Sequence, residues 1–300
     1  MNGVINVYKE PGYTSHDVVA KLRGILKMKK IGHTGTLDPQ AEGVLPVCLG
    51  NATKLCDMLT DKTKEYEAVM RLGIQTDTQD MTGTVLAENE VTCSEVDIRN
   101  IMSTFIGKQQ QIPPMYSALK VDGKKLYELA REGKEIERKA RPIEIFELEI
   151  LEINLPCVRF RVSCSKGTYI RTLCQDIGEK LGCKGCMQHL KRTRVERFLA
   201  EDALTLAQIE KLRDEMAVES VLVRVEDMFD AYPKAIVSNA YRKAIDNGNV
   251  ITPKMIKTME EADLQEKPQR IRVYNEDLIF YGIYEYHSDA HRYKPYKMFF

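Results

Sequence analysis

The sequence predicts an α+β fold in which helices flank a mixed, largely antiparallel central sheet. Strand and helix patterns alternate irregularly between positions 1 and 230, and several strands are separated only by short turns. Around Tyr232 the composition changes, because eight of the 14 tyrosines lie from Tyr232 onward. We therefore expect a large domain at residues 1–230 and a small, β-rich domain at residues 232–300.

Hydrophobic spacing predicts the individual elements of the large domain. Residues 3–8, 44–49 and 64–73 predict strands, and the second of these is expected to be buried. Thr14-Ser15 is expected to cap a helix whose apolar positions recur at helical intervals, namely Val18, Val19, Leu22, Ile25 and Leu26. The same reasoning predicts a short helix capped by Asn51 and reaching about Leu59, a helix from Ser94 to Gly107, strands at 143–153 and 157–164, and a helix from about Thr168 to Gly182.

Two segments complete this outline. Residues 120–142 are polar, with eight basic residues against five acids, and predict a solvated helical insertion. In the small domain, residues 270–286 predict two strands around an Asn-Glu-Asp turn.

Composition limits the classes of protein that the chain can belong to. Hydrophobic residues make up 43% and charged residues 29% of the chain, which provides for a sizeable core and argues against disorder. No apolar run approaches the roughly 18–20 residues that span a membrane. The N-terminal residues also lack the basic start and apolar centre of a signal peptide. We therefore expect a cytoplasmic protein that is not inserted in a membrane.

The net charge of zero is unevenly distributed along the chain. Residues 159–194 contain nine Lys and Arg against two acids, whereas residues 201–230 contain nine acids against three Lys and Arg. Local fields of this kind attract phosphates even when the whole molecule is neutral. We expect a basic face in the first segment and an ordinary solvated helix face in the second.

The eight cysteines are expected to be reduced thiols, mostly buried. Cys183 and Cys186 with His189 resemble half of a zinc site, but structural zinc usually takes four ligands in two pairs. No second pair is present in the sequence, so we expect no metal here and interpret residues 183–186 as a loop that closes the preceding helix.

The most distinctive segment is the loop at residues 32–39, Gly-His-Thr-Gly-Thr-Leu-Asp-Pro. Pro39 biases Asp38 toward an extended backbone, and Gly32 and Gly35 allow turns that other residues resist. A carboxylate presented by a loop on a rigid scaffold is typical of a catalytic group. The alternative is that Asp38 only forms an Asx-turn within its own loop.

Six segments in the correct order and spacing resemble the motifs of the TruB family of tRNA pseudouridine synthases. They are GHTGTLDPQAEGVLPVCLGNATK at 32–54, KEYEAVMRLG at 64–73, QIPPMYSALKVDGKKLYELAREG at 111–133, RPIEI at 141–145, CSKGTYIRTLCQDIGEKLG at 164–182 and HLKRT at 189–193. The resemblance covers residues 3 to about 230, and a weaker one to a PUA-type RNA-binding domain continues to the C-terminus.

This resemblance implies the pseudouridine synthase fold and an enzyme that isomerises uridine 55 in the T-loop of tRNA. The reaction breaks the C1′–N1 bond and rejoins the uracil through C5, so neither cofactor nor metal is expected. The target base must be flipped out of its stack. The expected partner is tRNA, bound through its T-arm and elbow by a monomer, with residues 120–142 folding over the RNA.

The resemblance also assigns roles to individual residues. Asp38 corresponds to the catalytic aspartate, and Arg171 to the arginine that pairs with it and would lower its pKa. Tyr66 corresponds to the tyrosine that stacks on the target base. We expect the remaining substrate contacts at His33, which would occupy the space of the flipped base, at Leu190 and Lys191 in the uracil pocket, and at Gly35, Thr36, Tyr169 and Lys9. The family pattern Lys-Pro-x-Gly is altered here to Lys9-Glu10-Pro11-Gly12, which leaves the role of Lys9 open.

Other interpretations of the same residues remain possible at this point. Gly32-His33-Thr34-Gly35 also fits a KH-type backbone clamp, but the expected second helix does not follow. A glycine-rich nucleotide loop would need a Lys-Ser or Lys-Thr pair after it. The stronger rivals are an RNA-binding protein or tRNA chaperone without catalysis, and a synthase that depends on a guide RNA.

Overall fold

The computed structural model describes residues 1–60, 62–121, 123–260 and 268–300, and every structural statement below refers to these ranges. In chain order the strands are β1 (Gly3–Lys9), β2 (Ile31–His33), β3 (Glu42–Leu49), β4 (Lys64–Leu72), β5 (Ile74–Thr76), β6 (Val85–Glu88), β7 (Gly107–Gln111), β8 (Lys120–Val121), β9 (Lys124–Lys125), β10 (Arg141–Asn154), β11 (Cys157–Cys164), β12 (Gly185–Val195), β13 (Phe198–Leu199), β14 (Lys234–Val237), β15 (Ile256–Met259), β16 (Arg270–Tyr274), β17 (Phe280–His287) and β18 (Arg292–Met298). The α-helices are α1 (Ser15–Leu26), α2 (Cys56–Thr60), α3 (Glu95–Ser103), α4 (Leu126–Arg131), α5 (Ile170–Lys180), α6 (Leu206–Asp214) and α7 (Arg242–Asp246). Short 3-10 helices cover Gly50–Leu55, Val218–Val221, Val225–Phe229, Asn239–Tyr241, Pro253–Met255 and Ser288–Ala290.

A large central sheet organises the chain up to about position 230. Its strands follow the order β1-β3-β12-β4-β11-β10-β7, with β2 added to β3 and β13 to β12. In the described part of this sheet the pairing of β12 with β3 is parallel, and the other pairs of the same sheet are antiparallel. The predicted fold class, a mixed and largely antiparallel sheet with flanking helices, is therefore confirmed.

Two groups of helices pack on the face of this sheet that carries Tyr66. Helices α1 and α6 cover β1 and β3, and helices α3 and α5 cover β4, β10 and β11. Helix α1 begins as predicted, because the Thr14 hydroxyl accepts from the Asp17 backbone N–H at 3.0 Å and the Asp17 carboxylate accepts from the Thr14 N–H at 2.8 Å. The loop that contains Asp38 contacts both groups, through Ser15 of α1 and Arg171 of α5.

Two predicted helix boundaries are wrong. Asn51 does not cap a helix, since it lies inside the 3-10 turn that follows Leu49, and its side-chain oxygen accepts from the Lys30 ammonium at 2.9 Å. Helix α3 ends at Ser103, and Gly107 instead begins β7, where its φ of +100° suits a glycine. In both cases a residue common at helix ends belongs to the neighbouring element, a 3-10 turn for Asn51 and a strand for Gly107.

The largest difference from the prediction is β12. Cys183 and Lys184 form the predicted loop after the helix, but Gly185 and Cys186 already belong to this strand. Cys186 lies inside this central strand, which pairs with both β4 and β3. A shift in register between Met187 and His189 interrupts the alternation of apolar and polar residues. For this reason the segment showed no strand periodicity in the sequence.

The predicted helical insertion at 120–142 is only partly helical. Strands β8 and β9 form a short hairpin, and α4 follows with the side chain of Leu126 buried. Residues 132–140 carry no helix or strand, and Asp122 lies outside the described residues. Arg138 fastens this stretch by donating from Nη1 to the Pro113 carbonyl at 3.2 Å.

The C-terminal region forms its own sheet, in the order β15-β14-β16-β17-β18. The two strands predicted at 270–286 are present as β16 and β17, whereas β14, β15 and β18 were not predicted. One apolar cluster nevertheless joins this sheet to the large one, since Ile283 and Phe299 pack with Val44, Val195 and Phe198. We therefore expect the two regions to stabilise each other.

Phe299→Ala tests this shared cluster. Phe299 is 7% exposed within it, so truncation to alanine should lower the free energy of unfolding by about 3 kcal/mol. The matched control is Phe300→Ala, because Phe300 is 53% exposed and should change stability by about 0.5 kcal/mol or less. Equal effects in urea unfolding would show that the two sheets do not share a core.

Candidate active site

The loop between β2 and β3 is held rigidly against the start of α1. The Leu37 backbone N–H donates to the Ser15 hydroxyl at 2.9 Å, and the Thr34 N–H donates to the Pro46 carbonyl at 3.2 Å. The Leu37 side chain is buried in the same apolar cluster as Tyr66. Asp38 follows directly, so its position is fixed by packing on one side and by strand β3 on the other.

Asp38 and Arg171 form a two-point ion pair at the first turn of α5. Arg171 Nε lies 2.8 Å from Asp38 Oδ2, and Nη2 donates to Oδ1 at 3.2 Å. The Arg171 side chain is 5% exposed and that of Asp38 is 35% exposed. Arg171 thus orients the carboxylate from the buried side, and the opposite side of the carboxylate remains accessible to a substrate.

Two further donors of Arg171 bind backbone carbonyls, and they fix the guanidinium itself. Nη1 donates to the Thr78 carbonyl at 3.0 Å, and Nη2 donates to the Tyr116 carbonyl at 2.8 Å. Neither residue was singled out in the sequence, because both act through backbone atoms. Arg171 therefore joins three separate segments of the chain around Asp38.

The pKa of Asp38 is raised above its ordinary value of 3.8, chiefly because burial penalises the charged form. Arg171 and Lys9 act in the opposite direction, and the nearby negative charge of Asp80 adds to the rise. Arg171 does lower the pKa of Asp38, as expected from the sequence. The expectation that the pKa of Asp38 is lowered overall is wrong, because burial outweighs this contribution. The sequence does not reveal this burial in the folded loop.

This shift predicts how the reaction rate depends on pH. The family resemblance implies that the ionised Asp38 carboxylate is the active form, and a raised pKa means that protonation begins at a higher pH than for an ordinary aspartate. The single-turnover rate should therefore fall on the acidic side with an apparent pKa above 3.8. Binding of tRNA is measured at each pH as the control, and a rate constant that stays level down to about pH 4 would contradict the shift.

Tyr66 and Leu190 face the same side of the sheet as Asp38. Their side chains are 7% and 6% exposed and belong to one apolar cluster with Leu37. Burial raises the pKa of Tyr66 to about 12, although the neighbouring Arg192 opposes the rise. The phenol is therefore protonated near neutral pH and can donate a hydrogen bond. These two residues can form the wall of a pocket for a planar base.

Lys191 does not join this pocket, contrary to the sequence-based expectation. Neighbouring residues on a strand point to opposite faces, so Lys191 lies behind Leu190. Its ammonium lies 5.8 Å from the ring centroid of Tyr8. Tyr8 in turn donates to Glu42 at 2.7 Å, and Glu42 also contacts His189 at 3.0 Å.

Lys9 lies beneath the Asp38 loop with its side chain fully buried. Its ammonium donates to the carbonyls of Ala41, Pro39 and Glu10 at 2.5, 3.0 and 3.2 Å. Burial lowers the pKa of Lys9 to about 8, while Asp38 opposes the shift. These contacts fix the loop backbone, and this arrangement fits a residue that positions Asp38 better than one that touches substrate.

The other predicted contacts lie around the opening of the site. His33 is half-buried, its Nδ1 accepts from the Gly35 N–H at 3.3 Å, and its ring meets that of His16 edge-on at 5.7 Å. Burial lowers the pKa of His33, so a neutral ring is favoured. Thr36 is exposed, and Tyr169 is half-buried at the start of α5.

The Cys183, Cys186 and His189 side chains have separate partners. Cys183 contacts the Lys184 carbonyl at 3.5 Å, Cys186 lies 3.4 Å from the Met81 sulfur, and His189 pairs with Glu42. Across the described ranges, no group of three or more His, Cys, Asp or Glu side chains could hold a metal ion.

Exhaustive treatment with EDTA is therefore expected to leave both the fold and the turnover of the protein unchanged. Circular dichroism and tRNA modification, measured before and after chelation, check this expectation. Activity that disappears and returns on addition of zinc would overturn it.

Several arginines of the basic segment 159–194 pair with acids from other parts of the fold. Arg159 pairs with Glu67 at 2.7 Å, and Arg161 pairs with Glu149 at 2.5 Å. The sheet therefore places acidic residues of β4 and β10 beside part of this segment, while the expectation of a basic face stays a prediction. In the described ranges, no helix is long and apolar enough to cross a membrane.

Comparison with known proteins places this site in a family context. The family described as TruB family pseudouridylate synthase (N terminal domain) matches residues 23–170, and the tRNA pseudouridylate synthase B C-terminal domain matches residues 171–230. The tRNA pseudouridine synthase B of Lachnoclostridium phytofermentans is 54% identical, covering 100% of both chains. That of Alkaliphilus oremlandii is 51% identical, covering 89% of this chain and 88% of the relative.

Solved structures agree with the sequence relatives. A chain from an H/ACA RNP bound to a substrate RNA containing 2′-deoxyuridine is 26% identical with a TM-score of 0.72, covering 99% of this chain and 85% of that one. A chain from a Cbf5-Nop10-Gar1 complex is 28% identical with the same TM-score and the same coverage. The full-length sequence relatives, the two matched domains and the shared fold lead to one conclusion. The chain belongs to the TruB family of pseudouridylate synthases.

Proposed function

We propose that this protein isomerises uridine 55 in the T-loop of tRNA to pseudouridine, with Asp38 as the catalytic carboxylate. The observation that carries the proposal is the accessible Asp38 carboxylate, held at two points by a buried arginine in a member of the TruB family. The two relatives described above are both tRNA pseudouridine synthases, and they match the chain over nearly its full length.

The chemistry needs one carboxylate near the sugar and a pocket that holds the detached base. The C1′–N1 bond breaks with its electron pair on the uracil, the base turns, and C5 forms the new bond to C1′. The proton on C5 is then lost to solvent. Asp38 either bonds covalently to the nucleoside or removes a proton from the sugar to give a glycal, and both routes use its ionised form.

The side chains around Asp38 suit the other steps of this reaction. Tyr66 presents a buried ring beside the loop, on which a flipped uracil can stack, and Leu190 adds an apolar wall. His33, half-buried at the opening and favoured in its neutral form, occupies the place that the base leaves in the RNA. Base flipping costs a few kcal/mol, which contacts of this kind offset.

The proposal extends to the partner and to the organisation of the chain. The protein acts in the cytoplasm as a monomer, binds the T-arm and elbow of tRNA, and needs no cofactor. Residues 1–230 carry catalysis, and residues 232–300 are a PUA-like accessory for RNA binding. Residues 120–142 lie beside Tyr116, whose carbonyl holds Arg171, so closure of this segment on RNA would reach the catalytic pair directly.

The test is to map pseudouridine in a tRNA transcript after incubation with the purified protein. Carbodiimide labelling and primer extension should give a single stop at position 55, and a transcript with cytidine at this position should give none. Modification at another uridine would contradict the assignment of position 55. Binding without any modification would favour the tRNA chaperone interpretation.

A further inference from the structure

Arg192 is a large, charged side chain that the reaction described above does not use. It is 1% exposed, and its guanidinium donates from Nε to the Val44 carbonyl at 2.7 Å and from Nη2 to the Gly35 carbonyl at 3.2 Å. Burial lowers its pKa, and Tyr66 is the group that opposes this. Among the described residues no carboxylate pairs with it. A buried cation without a carboxylate partner is costly and needs an explanation.

The strand arrangement shows what this cation connects. Arg192 is paired in register with Tyr66 on β4 and with Gly43 on β3. Strand β3 can approach β12 closely because residue 43 is a glycine. A Cβ at this position, where φ is +104°, would lie 2.2 Å from the Arg192 carbonyl oxygen. The guanidinium consequently reaches Gly35, which lies three residues before Asp38, while it stays beside Tyr66.

We propose that Arg192 is a positioning residue for uridine isomerisation, which sets the spacing between the Asp38 loop and Tyr66 and places a positive charge behind the base pocket. This inference rests on the proposed function. It differs from the role of Arg171, since Arg192 contacts the loop through backbone carbonyls and makes no contact with the Asp38 carboxylate.

The chemistry gives such a charge a specific use. When the C1′–N1 bond breaks, the electron pair stays on the uracil, and the negative charge spreads over N1, O2 and O4. The detached base must then turn without leaving the space between the loop and Tyr66. A fixed cation in a site that excludes water stabilises the anion at this stage, because it needs no reorganisation.

A purely structural arginine would behave differently from a positioning one. Glutamine can donate to only part of what the guanidinium reaches, so at least one of the Val44 and Gly35 carbonyls loses its donor. Arg192→Gln should therefore still fold, with a lower midpoint of thermal unfolding, and the rate is compared at a temperature well below that midpoint. Its single-turnover rate should nevertheless fall roughly 100-fold, since both the charge and the planar fork are lost.

Two further variants are compared with Arg192→Gln, namely Arg192→Lys as a partial rescue and Arg194→Lys as a control. Arg192→Lys restores the charge without the fork and should recover part of the lost rate. Arg194 lies two residues further along the same strand, is 40% exposed and pairs with Glu65, so Arg194→Lys should match the wild type. The dissociation constant for tRNA should stay within about twofold in all three, because binding depends on phosphate contacts elsewhere.

A double-mutant cycle decides whether Arg192 acts together with Tyr66. In a Tyr66→Phe background, Arg192→Gln should reduce the single-turnover rate much less than in the wild type. The inference is overturned if the two effects simply multiply, if Arg192→Gln keeps the wild-type rate, or if its rate falls only in proportion to lost stability. An inactive wild-type protein would refute the proposed function instead, so the two failures are distinguishable.

Discussion

Asp38→Asn is expected to abolish pseudouridine formation while it leaves tRNA affinity nearly unchanged. The substitution keeps almost the same volume and removes the negative charge that either chemical route requires. We expect the single-turnover rate to fall roughly 10³-fold or more. Phosphate contacts that are remote from this carboxylate dominate the affinity for tRNA, so the dissociation constant should change little.

The experiment compares Asp38→Asn with Asp57→Asn, which removes an exposed aspartate of α2. Release of tritium from 5-tritiated tRNA measures turnover, and filter binding measures affinity on the same preparations. Asp57→Asn should behave as the wild type. A wild-type rate in folded Asp38→Asn protein would mean that Asp38 only forms a turn within its loop, which is the alternative that the sequence left open.

Arg171→Lys is expected to reduce the rate about 10- to 100-fold, which corresponds to roughly 1.5–3 kcal/mol in the transition state. Lysine keeps the charge but has no planar fork. It cannot hold both oxygens of Asp38 and at the same time donate to the carbonyls of Thr78 and Tyr116. Asp38 should lose its orientation although it keeps a nearby cation.

Arg159→Lys is the matched control for this variant. Arg159 is 47% exposed and pairs with a single carboxylate, that of Glu67, so its replacement should leave the rate unchanged. Binding of tRNA should be similar in both variants. An unchanged single-turnover rate in Arg171→Lys would show that the contact between Arg171 and Asp38 is an ordinary ion pair without a role in the reaction.

The elements predicted correctly are those with strong local signals. The Thr14 cap and the apolar spacing of α1 need no information beyond a dozen residues, and the same holds for the alternation in β4. Asp38 was found because the glycines and proline of its loop are unusual together. Its pairing with Arg171 came from the family resemblance, since no local pattern connects residues 133 positions apart.

The predictions that differ from the structure concern residues whose surroundings are formed by strands distant in the sequence. The position of Lys191 depends on which face of β12 it occupies, and this strand showed no periodicity because of its register shift. Acids on β4 and β10 meet the arginines Arg159 and Arg161 only after the sheet has formed. The raised pKa of Asp38 likewise depends on burial. The contacts of Arg192 require both neighbouring strands of β12, and only its position within HLKRT pointed to it.

The most direct test of the account is a single-turnover assay of tritium release with purified protein, excess enzyme, EDTA and no added cofactor. The substrate is a tRNA transcript labelled with tritium at C5 of its uridines. The account predicts release equivalent to one uridine per tRNA from the wild type, and none from a transcript with cytidine at position 55. Tight binding of the transcript without any release of tritium would contradict it.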